Sequence, residues 1–413
     1  MEFKSIAVLS ACMVLGAAQP VEKLPVLKEQ LSEVLFREGK PAVIECVTEG
    51  KEQGIKYSWL KNGKPFNLQE HNVAQRKDEG SIVFLSPQAS DEGQYQCLAE
   101  TPAGIPSSRV ISFRRTYLIA APAKTHEKTP VEGRPFNLDC VIPNGYPKPT
   151  ITWRKQMSGS YPDVYTTSFD RRITPGPDGN LYFTTVTKDD VSDSYTFVCV
   201  AKNAAVDEEV PLIEYVIKGL TKDNSGYKGE PVPQYISKDM MAKAGNVTMI
   251  YCMFGGEPIV HPNYFKDGKD TNGNPGDRVT RHNRTSGKRL LIKDTNYGDA
   301  GKYTCEVDDG KGKVQKHSLT LTVVGAPKLE TKPEKVIIAK TGQDVIIPCK
   351  VTGLPVPKIV WTHNAKPLSG GRATVTEKGL VIKALQKSDK GYYGCRATNE
   401  HGDEYVETLV QVN

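Results

Sequence analysis

Cysteine spacing constrains this 413-residue sequence more than any other feature. Nine cysteines are present, and the eight that follow Cys12 fall into neighbouring pairs separated by 51, 59, 53 and 46 residues. Each pair lies inside one of four successive segments of about a hundred residues, which is the mark of an internal repeat. This order favours one disulfide per segment, and no Cys-x-x-Cys or Cys/His spacing typical of zinc or redox sites occurs. The predicted disulfides are Cys46 with Cys97, Cys140 with Cys199, Cys252 with Cys305, and Cys349 with Cys395.

The two ends of the chain predict an exported protein. Residues 1–18 have the pattern of a secretory signal peptide, with Lys4, an apolar stretch over 6–15 and small residues at 16–18. Cys12 is expected to leave with this peptide. The last residues, 405–413, alternate like a strand and have neither a lipid-anchor signal nor a retention tetrapeptide. We therefore expect a secreted protein in an oxidising extracellular medium.

Composition excludes several other classes. Hydrophobic residues make up 38% of the chain, which is too apolar for a disordered protein, and no later stretch approaches the roughly 20 apolar residues of a spanning helix. The net charge is +6, from 54 basic against 48 acidic residues, a mild excess that does not indicate nucleic-acid binding. No nucleic-acid partner is expected, and membrane contact is expected to be peripheral.

The same landmarks recur in each of the four segments. Trp59 and Trp153 lie 13 residues after the first cysteine of their segments and Trp361 lies 12 after its own, whereas the third segment has Phe265 at this spacing. In three segments a tyrosine lies two residues before the second cysteine and an aspartate lies six residues before it; these aspartates are Asp91, Asp299 and Asp389. The second segment has Phe197 instead of this tyrosine, so the hydroxyl bond to the backbone is expected to be missing there.

These residues resemble the immunoglobulin superfamily over the whole chain that follows the signal peptide. Alternating stretches such as 43–47 and 359–362 agree, because antiparallel sandwiches bury every second residue around an inter-sheet disulfide and an indole. The resemblance implies an all-β fold of four tandem I-set-like sandwiches. The expected boundaries are 1–18 for the signal peptide, 19–118 and 119–218 for the first two domains, 219–234 for a flexible linker, and 235–325 and 326–413 for the last two domains.

Within this superfamily the chain is similar to lepidopteran haemolymph immune proteins and to the first four domains of neuroglian-type adhesion molecules. The similarity lies in stretches 235–245, 281–289 and 391–403 together with the long central linker. It implies a horseshoe in which domain one lies against four and two against three. It also implies a haemolymph protein that binds bacterial lipopolysaccharide and lipoteichoic acid, attaches to haemocytes and self-associates. The alternative is a shed or secreted homophilic adhesion protein that acts in development.

One basic cluster is a candidate ligand site. Arg281, Arg284, Lys288 and Arg289 lie within nine residues that contain no acid, and guanidinium and ammonium groups suit the phosphates of lipid A. A solvated strand and turn is the alternative interpretation. Asn283 begins an N-glycosylation sequon inside the cluster, and Asn246 begins a second sequon.

Enzymatic chemistry has little support in the sequence. The chain has no nucleophile motif, no suitably spaced acids and no glycine-rich phosphate loop, and its seven histidines are scattered. We expect no catalytic residues, no metal site and no cofactor.

Overall fold

The computed structural model of the protein describes residues 26–49, 54–157, 164–165, 171–368 and 370–413. The predicted signal peptide and Cys12 lie outside these residues, as does the side chain of Arg284. In the described ranges the regular elements are β-strands and short 3₁₀ turns. None of their helices is long and apolar enough to cross a bilayer.

The first two domains are built from ten strands each. Domain one comprises β1 (Val26–Leu27), β2 (Glu33–Phe36), β3 (Ala42–Ile44), β4 (Thr48–Glu49), β5 (Lys56–Lys61), β6 (Lys64–Phe66), β7 (Val73–Gln75), β8 (Ile82–Phe84), β9 (Gly93–Glu100) and β10 (Ile111–Arg115). Domain two comprises β11 (Tyr117–Ile119), β12 (Thr125–Lys128), β13 (Phe136–Leu138), β14 (Asn144–Tyr146), β15 (Thr150–Met157), β16 (Val164–Tyr165), β17 (Ile173–Pro175), β18 (Leu181–Phe183), β19 (Tyr195–Lys202) and β20 (Val210–Ile217).

Domains three and four share one long strand. Domain three comprises β21 (Val232–Ile236), β22 (Met240–Lys243), β23 (Thr248–Gly255), β24 (Asn263–Lys266), β25 (Lys269–Asp270), β26 (Val279–Arg281), β27 (Arg289–Ile292), β28 (Gly301–Asp308) and β29 (Val314–Leu329). Domain four continues with β30 (Val336–Ala339), β31 (Val345–Ile347), β32 (Val351–Leu354), β33 (Lys358–His363), β34 (Lys366–Pro367), β35 (Ala373–Thr376), β36 (Gly379–Ile382), β37 (Gly391–Asn399) and β38 (Gly402–Val412). Short 3₁₀ turns occur at Leu68–His71, Ala89–Asp91, Lys188–Asp190, Asn283–Thr285, Tyr297–Asp299 and Lys387–Asp389.

Each domain is a two-sheet sandwich with the same topology. One sheet has five strands, in the order β2-β10-β9-β5-β6 in domain one and β30-β38-β37-β33-β34 in domain four, and its first strand pairs in parallel with its neighbour. The facing sheet has three or four antiparallel strands, such as β3-β8-β7. The expected all-β architecture of four immunoglobulin sandwiches is therefore confirmed.

A disulfide crosses the core of each sandwich. The pairs are Cys46–Cys97, Cys140–Cys199, Cys252–Cys305 and Cys349–Cys395, with Cα–Cα distances of 6.3 to 6.6 Å. Each lies in a separate cluster of buried apolar residues, so every domain has its own core. Closing loops of about 50 residues stabilises a domain by roughly 4 kcal/mol on the chain-entropy model.

The tryptophan position of domain three is occupied by Tyr264, and the expectation for Phe265 is wrong. Tyr264 is fully buried and pairs with Cys305, as Trp59 pairs with Cys97 and Trp361 with Cys395. Side chains alternate along a strand, so a one-residue difference in spacing turns Phe265 to the other face. Tyr264 donates to the Gly287 carbonyl at 3.0 Å, just as the Trp59 indole donates to that of Gly80 at 2.8 Å.

The hydroxyl bond that was expected to be missing in domain two is present. In the other domains Tyr95, Tyr303 and Tyr393 donate to the carbonyl of the aspartate four residues earlier at 2.8 to 2.9 Å. In domain two Tyr195, two residues before Phe197, donates to the Asp189 carbonyl at 2.8 Å. The hydroxyl bond is therefore made two residues earlier on the same face of the strand, by the half-buried Tyr195 at the edge of the core, while Phe197 fills the core.

The junctions between domains differ in construction. β29 pairs with β28 in domain three and continues into a pairing with β32 of domain four, so one strand crosses that boundary. Residues 219–231 contain no strand, but they are bonded on both sides. The Thr221 amide donates to the Pro130 carbonyl of domain two at 2.9 Å, and the Glu257 amide of domain three donates to the Gly229 carbonyl at 3.0 Å.

Candidate functional site

Domain one docks on domain four through its loop 101–109. The Ile105 amide donates to the Asn364 side-chain oxygen at 3.2 Å, and that oxygen also accepts from the Tyr392 amide at 3.0 Å. Ala103 packs with Tyr392 and Leu409 in a small buried apolar cluster. A carboxamide thus bridges backbone groups of two domains, which sets the docking geometry.

Glu407 is the centre of the polar part of this contact. The Ser107 amide donates to both carboxyl oxygens at 3.0 and 3.1 Å, and the Ser107 hydroxyl donates to one of them at 3.1 Å. The Tyr405 hydroxyl donates to the same carboxyl at 2.8 Å. Glu407 retains some exposure because it lines a cleft, but burial raises the pKa of its carboxyl to about 7 even though the donors from Ser107 and Tyr405 lower it.

Two ion pairs flank Glu407 and join the same domains. Arg109 donates to the Asp403 carbonyl at 2.8 Å and lies 3.7 Å from its carboxylate, while the Lys335 ammonium lies 2.7 Å from Glu49. Arg109 is mostly buried, whereas Lys335 is largely exposed, so the latter pair contributes little. The contact between domains one and four is therefore mainly polar, with a small apolar component.

Domain two meets domain three through backbone groups and one buried lysine. The Gly256 amide donates to the Thr184 carbonyl at 2.7 Å, and the Gln234 side chain donates to the Phe183 carbonyl at 2.9 Å. Lys288 is only 2% exposed, and its ammonium donates to the Arg171 carbonyl and the Thr174 hydroxyl, both at 2.9 Å. Together the two contacts fold the chain back with domain one against four and two against three, so the expected horseshoe is confirmed.

The basic cluster divides between two roles. Lys288 is used in the contact with domain two, so its ammonium is not accessible to a ligand, and its assignment as a ligand-binding residue is corrected on this ground. Arg281 is half-buried and donates to the Asn263 side chain at 2.7 Å, and Arg289 is half-buried beside Met249. The side chain of Arg284 lies outside the described part.

A second domain adds a cation near Arg281. Burial lowers the pKa of His261, and the positive charges of Arg281 and of Arg171 in domain two lower it further. Arg171 is exposed. Cationic groups of domains two and three therefore converge beside the bend, a feature that the linear sequence did not reveal.

The two sequons have similar geometry. Asn283 and Asn246 are exposed at turns, whereas their threonines, Thr285 and Thr248, are buried and hydrogen-bonded. Among the described residues, no group of three or more His, Cys, Asp or Glu side chains could hold a metal ion.

The residues of the contact between domains one and four were not predicted. All four domains present similar sandwich faces, and hydrogen bonds between residues about 300 positions apart leave no local signal. One signal was available in the sequence, because Leu409 and Val410 are consecutive apolar residues in a strand that otherwise alternates. The structure buries both of them and Thr408, as expected of a strand covered on both faces.

Comparisons with known proteins agree with this architecture. The family model described as immunoglobulin I-set domain matches residues 231–323 and 327–412, and the model described as immunoglobulin domain matches 25–101 and 121–203. Hemolin of Hyalophora cecropia is 75% identical over 413 residues, covering 100% of both chains, and hemolin of Lonomia obliqua is 69% identical over the same length. The chain belongs to the hemolin family.

Further relatives are consistent with the hemolin family. A crystal structure described as that of the insect immune protein hemolin, with a domain arrangement with implications for homophilic adhesion, is 75% identical and superposes with a TM-score of 0.92. It covers 94% of this chain and 100% of its own. Neuroglian of Drosophila melanogaster is 35% identical over 90% of this chain and 29% of its own length. The chain is thus an immunoglobulin-domain protein of the immune and adhesion type.

Proposed function

We propose that this chain is a secreted innate-immune pattern-recognition and adhesion protein of the haemolymph. It binds bacterial lipopolysaccharide and lipoteichoic acid, attaches to haemocytes and self-associates. The observation that carries the proposal is the folded-back arrangement itself, in which domains one and four meet through a mainly polar contact at loop 101–109. Opening this contact frees a surface that fits a second copy of the same chain.

The bend supplies the proposed site for anionic polymers. Arg281 of domain three and Arg171 of domain two both lie close to His261, and Arg289 begins β27 of domain three. Guanidinium groups bind phosphate through charge-assisted, often bidentate hydrogen bonds. Arg284 belongs to the 3₁₀ turn Asn283–Thr285, which lies between Arg281 and Arg289 in the chain. Linking several such sites on a repetitive bacterial surface raises the effective concentration of the bound chain without any new contact.

Retention on immobilised lipopolysaccharide or lipoteichoic acid, competed with free lipid A, tests the proposal. The double variant Arg281→Ala/Arg289→Ala is expected to lose retention at least tenfold at low salt. The matched control Lys302→Ala/Lys311→Ala removes two exposed cations of the same domain and is expected to behave as the unmodified chain. Equal retention of the double variant and the control at several salt concentrations would refute the anionic site.

The second candidate is a shed or secreted homophilic adhesion protein that acts in development. The similarity to neuroglian, at 35% identity, favours it. Self-association without any retention on either bacterial polymer would support this function over the first. In both functions Asn283 and Asn246 are the proposed glycosylation sites, because both side chains are exposed at turns.

A further inference from the structure

The cleft beside the contact between domains one and four brings solvent to an acid that holds those domains together. It has a volume of about 440 Å³ and is lined by residues of both domains. Glu407 forms part of its wall, while the Ser107 amide and hydroxyl and the Tyr405 hydroxyl donate to the carboxyl. Protons can therefore reach a carboxyl that has its Ser107 donors only while the domains are in contact, because Ser107 belongs to domain one and Glu407, like Tyr405, to domain four.

No cation neutralises the Glu407 carboxyl among the contacts of the described chain. Its donors are neutral, and Arg109 is engaged with Asp403. Other charged groups face the cleft from domain one, from the start of domain four and from its last strand; these are Lys28, Glu29, Glu49, Lys332, Lys335 and Glu404. Burial also raises the pKa of the Glu404 carboxyl. Glu404 therefore changes the pH dependence of the contact in the same direction as Glu407.

We propose that Glu407 is a proton-dependent latch, which keeps domain one closed on domain four when it is protonated and weakens closure when it ionises. The proposal deepens the proposed adhesive function, on which it rests, by naming a regulator of the surface that a second copy would use. Acidification stabilises the folded-back form, and neutral to alkaline medium favours the open form.

The sign and size follow from linkage. In the closed form the pKa of Glu407 is raised from its ordinary 4.5 to about 7 by burial, and in the open form the burial is lost. The closed form therefore binds the proton more tightly. Its stabilisation is complete below pH 4.5 and is lost progressively until about pH 7. A difference of this size lowers the closure constant on the order of 100-fold across that window.

Small-angle scattering of the complete chain between pH 5 and pH 8, at constant ionic strength, tests the latch. The unmodified protein is expected to expand as the pH rises, while near-UV circular dichroism shows that its domains stay folded. Glu407→Gln, which keeps the neutral shape but cannot ionise, is expected to remain compact at both pH values. Glu377→Gln, which alters an exposed carboxyl of the same domain, is expected to expand like the unmodified chain.

Two results would overturn the latch. One is an unmodified protein whose radius of gyration is the same at pH 5 and pH 8, a result that does not depend on how the variants fold. The other is a folded Glu407→Gln variant that expands with the same pH profile as the unmodified chain. Sedimentation velocity on the same samples separates the two proposals: a chain that expands with pH but stays monomeric retains the latch and contradicts self-association.

Discussion

Replacing Lys288 with methionine tests the buried contact that holds domain two on domain three. The substitution keeps the length and apolar character of the side chain and removes the ammonium. The carbonyl of Arg171 and the hydroxyl of Thr174 lose donors at 2.9 Å, and both lie where water replaces them poorly because Lys288 is only 2% exposed. The expected consequence is a weaker bend between intact domains.

The magnitude follows from two opposing effects. A hydrogen bond to a charged group contributes about 1.5–3 kcal/mol, so two of them give roughly 3–6 kcal/mol. Burying the ammonium costs several kcal/mol, and this cost disappears in the variant. We expect a net loss of about 2 kcal/mol, which corresponds to a roughly 30-fold smaller equilibrium constant for the closed bend.

Amide hydrogen exchange measures this constant directly. The Gly256 amide donates to the Thr184 carbonyl across the same contact, at 2.7 Å, so its exchange reports opening of the bend. In Lys288→Met the Gly256 amide is expected to exchange about 30-fold faster, in proportion to the change in opening. The control Lys293→Met removes an exposed ammonium of the same domain and is expected to leave exchange unchanged. Unchanged protection of Gly256 in Lys288→Met would refute the reasoning.

Three further outcomes follow from the geometry. Tyr264→Phe removes a buried hydroxyl bond and is expected to destabilise domain three by about 1–3 kcal/mol in denaturant unfolding; no change would show that the bond is dispensable. Burial opposes ionisation of Asp299, but hydrogen bonds from Arg278 and a backbone amide outweigh burial and lower the pKa of this carboxyl. Its contribution to the stability of domain three is therefore complete above about pH 4 and is lost as the pH falls further. Asp299→Asn should abolish that part of the acid dependence, and an unaltered dependence of the unfolding temperature on pH would contradict this. Gly104→Ala places a methyl group 2.3 Å from the Asn364 side-chain oxygen and is expected to open the contact between domains one and four, and a compact scattering profile would count against it. Because Gly104 has a φ of +140°, the alanine also strains its own turn, so a somewhat lower unfolding temperature of domain one is expected as well.

The sequence was sufficient to predict the architecture because its determinants are local to each repeat. A cysteine pair and a buried aromatic residue opposite the second cysteine recur in all four domains, and the tyrosine corner, a tyrosine two residues before that cysteine, recurs in three; each acts within one sandwich. The two errors, at Phe265 and at the corner near Phe197, concern a one-residue difference in spacing and a hydroxyl moved by two residues. Counting from a cysteine cannot resolve such shifts, whereas the alternation of the strand can.

The candidate site was less accessible to sequence reasoning. Lys288 belongs to a run of cations and looks like its neighbours, but the docking of domain two buries it. Glu407 lies in a terminal strand whose charge gives no indication of Ser107, 300 residues earlier. Which cation is exposed and which acid is buried depends on how domains pack, and that information is distributed over both surfaces.

The radius of gyration of the complete chain at pH 5 tests the folded-back arrangement most directly. Four sandwiches placed end to end, each about 35 Å long from a rise of about 3.4 Å per residue, form a rod with a radius of gyration on the order of 40 Å. With domain one on four and two on three, a compact particle is expected, with a radius of gyration close to the roughly 22 Å of a globular chain of this length. A value near that of the rod would contradict the horseshoe and both interdomain contacts.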